Sequence, residues 1–327
     1  MRIDGRRQAA TLLLLGLVVA ITISCGGLAG SASNSGISPT NSSSPSPGVT
    51  QAAAPAQPGP VVIVLEENHS YEQVIGSAAM PYFNGLAQQG ALATQYYANV
   101  HPSIGNYFEL TVGATETSDN NWPGPVTDDN LARELAAAGK TWKTYAEDLP
   151  SPGYLGGDVG AYIKHHDPFA YLSDVINNAD RVANLVQFSQ FAADLSAGTL
   201  PAFSFVVPNA LDDAHECPVG VTCSDADRLT RADQWLKTNI APLLASPQFE
   251  KGGLLIVVFD ESDTADIRGG GGRVALIAVG PKARAGAQSS VSYAHQNTLK
   301  TICAALGLAS CPGAAASANA MDDLVAR

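Results

Sequence analysis

VVIVLEENHSY, residues 61–71, and GLLIVVFDES, residues 253–262, decide how this chain folds. Each is a run of β-branched and other apolar residues that breaks abruptly into carboxylates. A strand covered on one face alternates apolar and polar residues, whereas an unbroken apolar run marks a strand buried on both faces of a parallel sheet. ALATQYYANV (91–100), FSFVVP (203–208) and RVALIAVGP (273–281) have a similar character. Helical patterns separate these runs, at 82–89, 128–139, 184–197, 224–246 and 296–307. The clearest begins near Ser224: Leu229, Ala232, Trp235, Leu236, Ile240, Leu243 and Leu244 recur at helical spacing, and Ser224 and Asp225 suit its N-cap. Repeated strand–helix units predict an α/β fold, a mostly parallel central sheet with helices on both faces.

Ligands of open parallel sheets bind outside the carboxyl ends of the strands, so the residues just after each run carry the functional argument. Glu66, Glu67 and Asn68 follow the first. Acids there are poor filler but good oxygen ligands for a hard cation, with Asn68 adding an amide oxygen; the competing reading is a turn with solvated acids. In HPSIGNYFELTVG (101–113), Ser103 stands where the chain leaves a strand and enters a helix, whose free N–H groups face an incoming anion. That position suits a nucleophile attacking phosphorus, although a lone serine there is more commonly a plain N-cap. Asp213 and His215 offer an oxygen and an imidazole together, as a transition-metal centre prefers, with a polar loop as the alternative. Asp260 and Glu261 are the most specific signal, because desolvating two adjacent charges is costly unless a cation compensates, with a solvated strand end as the alternative. The Gly-rich stretch from Arg268 to Gly272 permits a mobile loop near the site. His295, just before a helix, completes the set. Trp142, Tyr145 and Tyr162 fit core packing better than a substrate pocket.

The first sixty residues are of another kind. Arg2, Arg6 and Arg7 precede the apolar run TLLLLGLVVAITIS (11–24), which ends at Cys25. A basic start followed by a short apolar run reads as a secretory signal segment over 1–25, with Cys25 as a candidate lipidation site and simple secretion or an uncleaved anchor as alternatives. Residues 26–60, rich in Ser, Pro and Ala, cannot bury enough apolar surface to offset their ordering entropy and read as a tether. A single domain is expected over 61–312 and a weakly ordered tail over 313–327. Cys217, Cys223, Cys303 and Cys311 allow three pairings, of which the local one, Cys217 with Cys223 and Cys303 with Cys311, is simplest. Such bridges belong to an oxidising compartment. Eighteen Lys and Arg against 30 Asp and Glu give a formal charge of −12, which argues against a nucleic-acid partner.

EENHSYEQVIG, HPSIGNYFELTVG, TWKTYAEDLP, YIKHHDPFAY, VVPNALDDAHEC, ADQWLKTNIAPLL, VVFDESD, GGRVALIAVGPKARAG and YAHQNTLKTICAALGL occur in order. Together they resemble the bacterial phosphoesterase family of acid phosphatases and phosphatidylcholine-type phospholipases C, in the alkaline-phosphatase-like superfamily. The resemblance implies an exported hydrolase of phosphoric esters that uses one or more divalent metal ions of unspecified identity. It implies Ser103 as nucleophile, Asn106 holding a phosphoryl oxygen, and His165 or His166, beside Lys164, near the phosphate. It implies Glu67, Asn68, Asp213, His215, Asp260, Glu261 and His295 as metal-site residues. Arg273 departs from the pattern, standing where many relatives have histidine. A small phosphate ester is the expected substrate, with membrane contact only through an N-terminal lipid anchor. A phosphomonoesterase with a phosphoserine intermediate is favoured; a phospholipase C-type phosphodiesterase and a non-catalytic metal- or ligand-binding lipoprotein are the alternatives.

Overall fold

Val61–Leu65 and Leu254–Phe259, the two runs that suggested burial on both faces, are fully shielded from solvent. The computed structural model describes residues 59–326. The signal segment, Cys25 and all of the tether except Gly59 and Pro60 lie outside the described residues. Ten strands are present in this region: β1 (Val61–Glu66), β2 (Ala91–Ala93), β3 (Tyr96–Tyr97), β4 (Trp142–Ala146), β5 (Leu185–Gln187), β6 (Phe203–Val207), β7 (Leu254–Phe259), β8 (Leu276–Val279), β9 (Gln288–Ser289) and β10 (Tyr293–Ala294). Eight form one sheet in the order β5-β4-β6-β1-β7-β8-β2-β9, and β10 pairs with β3 in a small second sheet.

β1 lies near the middle, parallel to β6 on one side and β7 on the other, with Val61 opposite both Phe203 and Leu254. Each fully buried Val, Leu, Ile or Phe in these strands contributes about 1.5–3 kcal/mol relative to exposure. Because β1, β6 and β7 run the same way, Glu67, Val207 and Asp260 emerge at one end of the sheet. That common end is what brings distant acids together.

Several local expectations shift. The 273–281 run does form a strand, but β8 runs antiparallel between β7 and β2. The 91–100 run breaks into β2 and β3, of which only β2 joins the main sheet. The pattern at 184–197 divides into β5 and a helix over Ser189–Ala197. The helix expected over 224–246 is Asp225–Asn239 followed by a short turn at Ala241–Leu244, its start fixed by Ser224, which caps Asp227 N–H in a reciprocal capping box.

The tail is not loose. Ala315, Met321 and Leu324 are fully buried, Arg284 N–H donates to Leu324 O, and Ala326 N–H donates to Lys282 O. Its scattered apolar residues fill gaps beside β8 and the helix His295–Leu306, which an alanine-rich composition does not announce. At the other end, Gly59 and Pro60 belong to the domain rather than the tether: Leu254 N–H donates to Pro60 O at 3.0 Å. Cys217 pairs with Cys223 and Cys303 with Cys311, the local pairing.

Candidate active site

Four carboxyl groups converge beyond the ends of β1, β6 and β7: Glu67, Asp213, Asp260 and Glu261, none more than 3% exposed. Backbone bonds lock the three segments together. Glu67 N–H donates to Asp213 O at 2.7 Å, and Asp260 N–H donates to Glu66 O at 2.9 Å. Asn68, in the left-handed region at φ 55° that asparagine tolerates, donates its backbone N–H to Asp260 Oδ1 at 3.2 Å.

Ser103 reaches this cluster from the start of the helix Ile104–Glu109. Its side chain caps no backbone N–H of that helix; its hydroxyl donates to Glu67 Oε2 at 3.1 Å. The ordinary N-cap reading is thereby replaced by a buried hydroxyl aimed at a carboxylate. One helical turn on, Tyr107 donates its hydroxyl to Glu67 Oε1 at 2.6 Å and stacks on His166 at 5.1 Å between ring centroids. His166 Nε2 is 3.2 Å from Glu67 Oε1, and its Nδ1 is 3.4 Å from Asp213 Oδ2.

The electrostatics follow from burial. Desolvation first, then Asp260 and Asp213, push Glu67 well above the usual carboxylate range. Desolvation also raises Asp213. Asp260 rises to about 6 through burial, against bonds from Asn68 and Ser103 that favour its charged form. Glu261 rises to about 9 through burial and then the charge of Asp260. Among the described residues none of these four acids pairs with lysine or arginine; their only ion-pair contacts are with His101 and His166. Asp213 Oδ2, Asp260 Oδ2 and His166 Nε2 are buried without hydrogen-bond partners. Burial, then His165 and His215, hold His166 neutral, so a single ring N–H faces two carboxylates. Glu67, His166 and Asp213 each offer a ligand atom within 4.8 Å of the others. Orphaned buried oxygens beside an imidazole nitrogen match the donor set of a divalent cation. The residues fit the metal that the sequence implied.

Several residues occupy places other than those expected. His166, expected beside the phosphate, is the imidazole among the acids, whereas His215 lies 6.1 Å away ring to ring, with Nδ1 3.8 Å from Glu216. His165 packs edge-on against His166 at 4.6 Å, and burial lowers it to about 4. His295 is placed as a support rather than a free ligand: Nε2–H donates to Asp260 O at 2.6 Å, which leaves Nδ1 to accept from Tyr96 Oη at 3.0 Å. Asn106 is also fully engaged. Its Oδ1 accepts from Asn99 and Val100 N–H, and its Nδ2 donates to Val100 O and to Glu261 Oε2. None of its four hydrogen-bonding positions is left for a phosphoryl oxygen.

The Gly-rich stretch is a packed clasp, not a free loop. Ala98 N–H donates to Gly272 O and Gly271 N–H to Ala98 O. At Gly270, φ 114°, an added Cβ would sit 1.9 Å from Asn99 O, so the close approach requires glycine. Arg273 turns away from the acids. Its guanidinium lies 3.8 Å from the Tyr71 ring centroid and donates to Thr94 O and to Glu72. Sequence reading passed over two contacting residues, Tyr107 and His101, the latter with Nδ1 3.2 Å from Glu261 Oε2. Helical spacing held the signal for the first, since Ser103, Asn106 and Tyr107 share one face.

The Phosphoesterase family model matches residues 77–309. A phosphatidylinositol-3-phosphatase of Mycobacterium tuberculosis is 33% identical over 246 residues, covering 74% of this chain and 75% of that protein. An acid phosphatase of Aspergillus fumigatus is 30% identical over 253 residues, covering 75% of this chain and 54% of its own length. In fold, the chain resembles a Vibrio parahaemolyticus protein of the alkaline phosphatase superfamily, with TM-score 0.53 at 17% identity over 77% of this chain and 67% of that one. It also resembles the lipoteichoic acid synthase LtaP of Listeria monocytogenes, with TM-score 0.55 at 12% identity over 77% and 73%.

Proposed function

This chain belongs to the Phosphoesterase family and is a phosphoric-ester hydrolase, and from that premise we propose that it is an exported, metal-dependent phosphomonoesterase with Ser103 as nucleophile. The observation that carries the reading is the hydroxyl of Ser103, a residue 3% exposed, donating to Glu67 within a group of acids that no lysine or arginine among the described residues neutralises. Glu67, Asp213 and His166 would hold the cation, with Asp260 beside them. When bound, a divalent cation supplies positive charge that favours the serine alkoxide and offsets charge on the phosphoryl oxygens.

The chain's own groups do the rest. Ser103 Oγ attacks phosphorus in line, its proton having an acceptor at Glu67 Oε2, 3.1 Å away. The P–O bond to the alcohol breaks, leaving phosphoserine, which water then hydrolyses. Tyr107 and His295 hold the acids still, through Glu67 Oε1 and the Asp260 carbonyl. The leaving alcohol would take its proton from a histidine beside His166, His165 or His215, a role that their lowered proton affinity confines to acid pH.

Monoesters are favoured because the relatives above are named as phosphatases. The two disulfides support an oxidising, extracytoplasmic location. Hydrolysis of p-nitrophenyl phosphate and p-nitrophenyl phosphorylcholine, with a panel of divalent metals and after chelation, tests the reading. Metal-dependent monoester turnover is expected; preference for the choline diester would replace it with a phospholipase C, and metal binding without turnover with a binding protein.

A further inference from the structure

At the opposite end of the sheet from Ser103 lies a cleft of about 600 Å³. Lys140 and Thr141, just before β4, line it together with Ser246, Gln248 and Lys251, before β7. An adjoining groove of about 400 Å³ shares Lys140 and Thr141 and adds Lys143 and Arg181. No carboxylate lines either, in a chain whose acids outnumber its bases by 30 to 18. Lys143 is paired with Asp194 and Arg181 with Asp174. Lys140 and Lys251 have no ion pair among the described residues.

The polypeptide enters the domain beside this cleft. Gly59 N–H donates to Lys251 O at 3.3 Å, so residues 1–58 are joined to the domain at its cationic end. Those residues include the arginines at 2, 6 and 7 and the apolar run 11–24. Residues 25–58 join that run to the domain. A lipid surface that takes up the apolar run would therefore meet the amino end of the sheet first.

We propose that this cleft docks on the phosphate-bearing headgroups of an anionic lipid surface, with Lys140 and Lys251 in contact with them. Docking this way turns the Ser103 end away from the headgroup layer, toward soluble esters. Each lysine brought near an anionic surface strengthens binding roughly fivefold, and salt weakens the effect.

The test uses the full chain and phosphatidylcholine vesicles with and without phosphatidylglycerol, comparing wild type with Lys140→Glu/Lys251→Glu by flotation. The apolar run serves both proteins and both vesicles equally, so the readout is the ratio of anionic to neutral partitioning. We expect that ratio to fall about tenfold or more in the variant at low salt, with p-nitrophenyl phosphate turnover unchanged; equal ratios would overturn the proposal. Hydrogen exchange on the wild-type chain gives a readout independent of the variant. Protection over 139–141 and 246–251 on binding anionic vesicles is expected, and its absence there contradicts docking. Equal protection by soluble glycerol phosphate would overturn the assignment to a lipid surface.

Discussion

Asp260 and Asp266 leave the same strand and meet opposite surroundings. Asp266 accepts from the Arg268 guanidinium at 2.6–3.1 Å and from the backbone N–H groups of Arg268 and Arg273. The guanidinium, first among these, holds its carboxyl well below the usual range. Asp260 is fully buried, has one oxygen without a partner, and is pushed up by desolvation beside Glu67, Asp213 and Glu261. The chain neutralises one acid with its own arginine, whereas among the described residues the other group has no lysine or arginine partner. Acid content alone therefore does not mark a site; what marks it is acid left without a base.

The largest effect separating the two regions is metal removal. Chelation should lower ester turnover by about 10³-fold or more, with no change around Asp266. Asp260→Asn should lose metal affinity, measured calorimetrically, yet the metal-free variant should be more stable than metal-free wild type by about 1 kcal/mol, because one desolvated charge is gone. A metal-free variant less stable than wild type would mean that Asp260 is satisfied within the protein. Next in size, Tyr107→Phe removes a 2.6 Å bond to Glu67 and should weaken metal binding about tenfold; unchanged affinity would make Tyr107 a packing residue only.

Asp266→Asn should act in the other direction, destabilising the chain by about 1 kcal/mol in urea, a modest figure because Arg268 is half-exposed. The pH dependence has a definite sign. A depressed folded pKa contributes stability that is complete above the unfolded value, about 3.9, and lost as pH falls toward the folded value. The gap between wild type and variant should therefore close as pH falls below about 4, and a gap that widens contradicts the assignment. The smallest effect belongs to Arg273→His. Since the guanidinium faces Tyr71 and Thr94, stability should fall by about 1 kcal/mol and turnover should stay within about twofold.

Much of this was legible in the sequence where composition and geometry coincide. β1 up to Leu65 and the whole of β7 are apolar, so burial on both faces and the acids at their ends could be read directly. β4 was not, because WKTYA mixes polar and apolar residues: Lys143 keeps its ammonium on Asp194 and Thr144 lies buried against Asp167. β5 is three residues long and merged with the following helical pattern. The direction of β8 depends on a distant partner and has no local signal. Residue types after each strand pointed to the end of the sheet where Glu67, Asp213 and Asp260 meet, but the sequence could not say which nitrogen meets which oxygen. His166 sits on the turn Lys164–His166 and His215 on the segment after β6, and only the fold brings the first between Glu67 and Asp213; Asn106 and His295 are engaged by backbone groups that no side-chain pattern reveals.

Attack of Ser103 on phosphorus beside these acids is tested by acid-quenching the metal-loaded chain during turnover of p-nitrophenyl phosphate and sequencing the phosphopeptide by mass spectrometry. Phosphate is expected on Ser103 in the wild type and none in Ser103→Ala, with turnover in that variant reduced about 10³-fold or more. Phosphate on another residue, or undiminished turnover without Ser103, would contradict it.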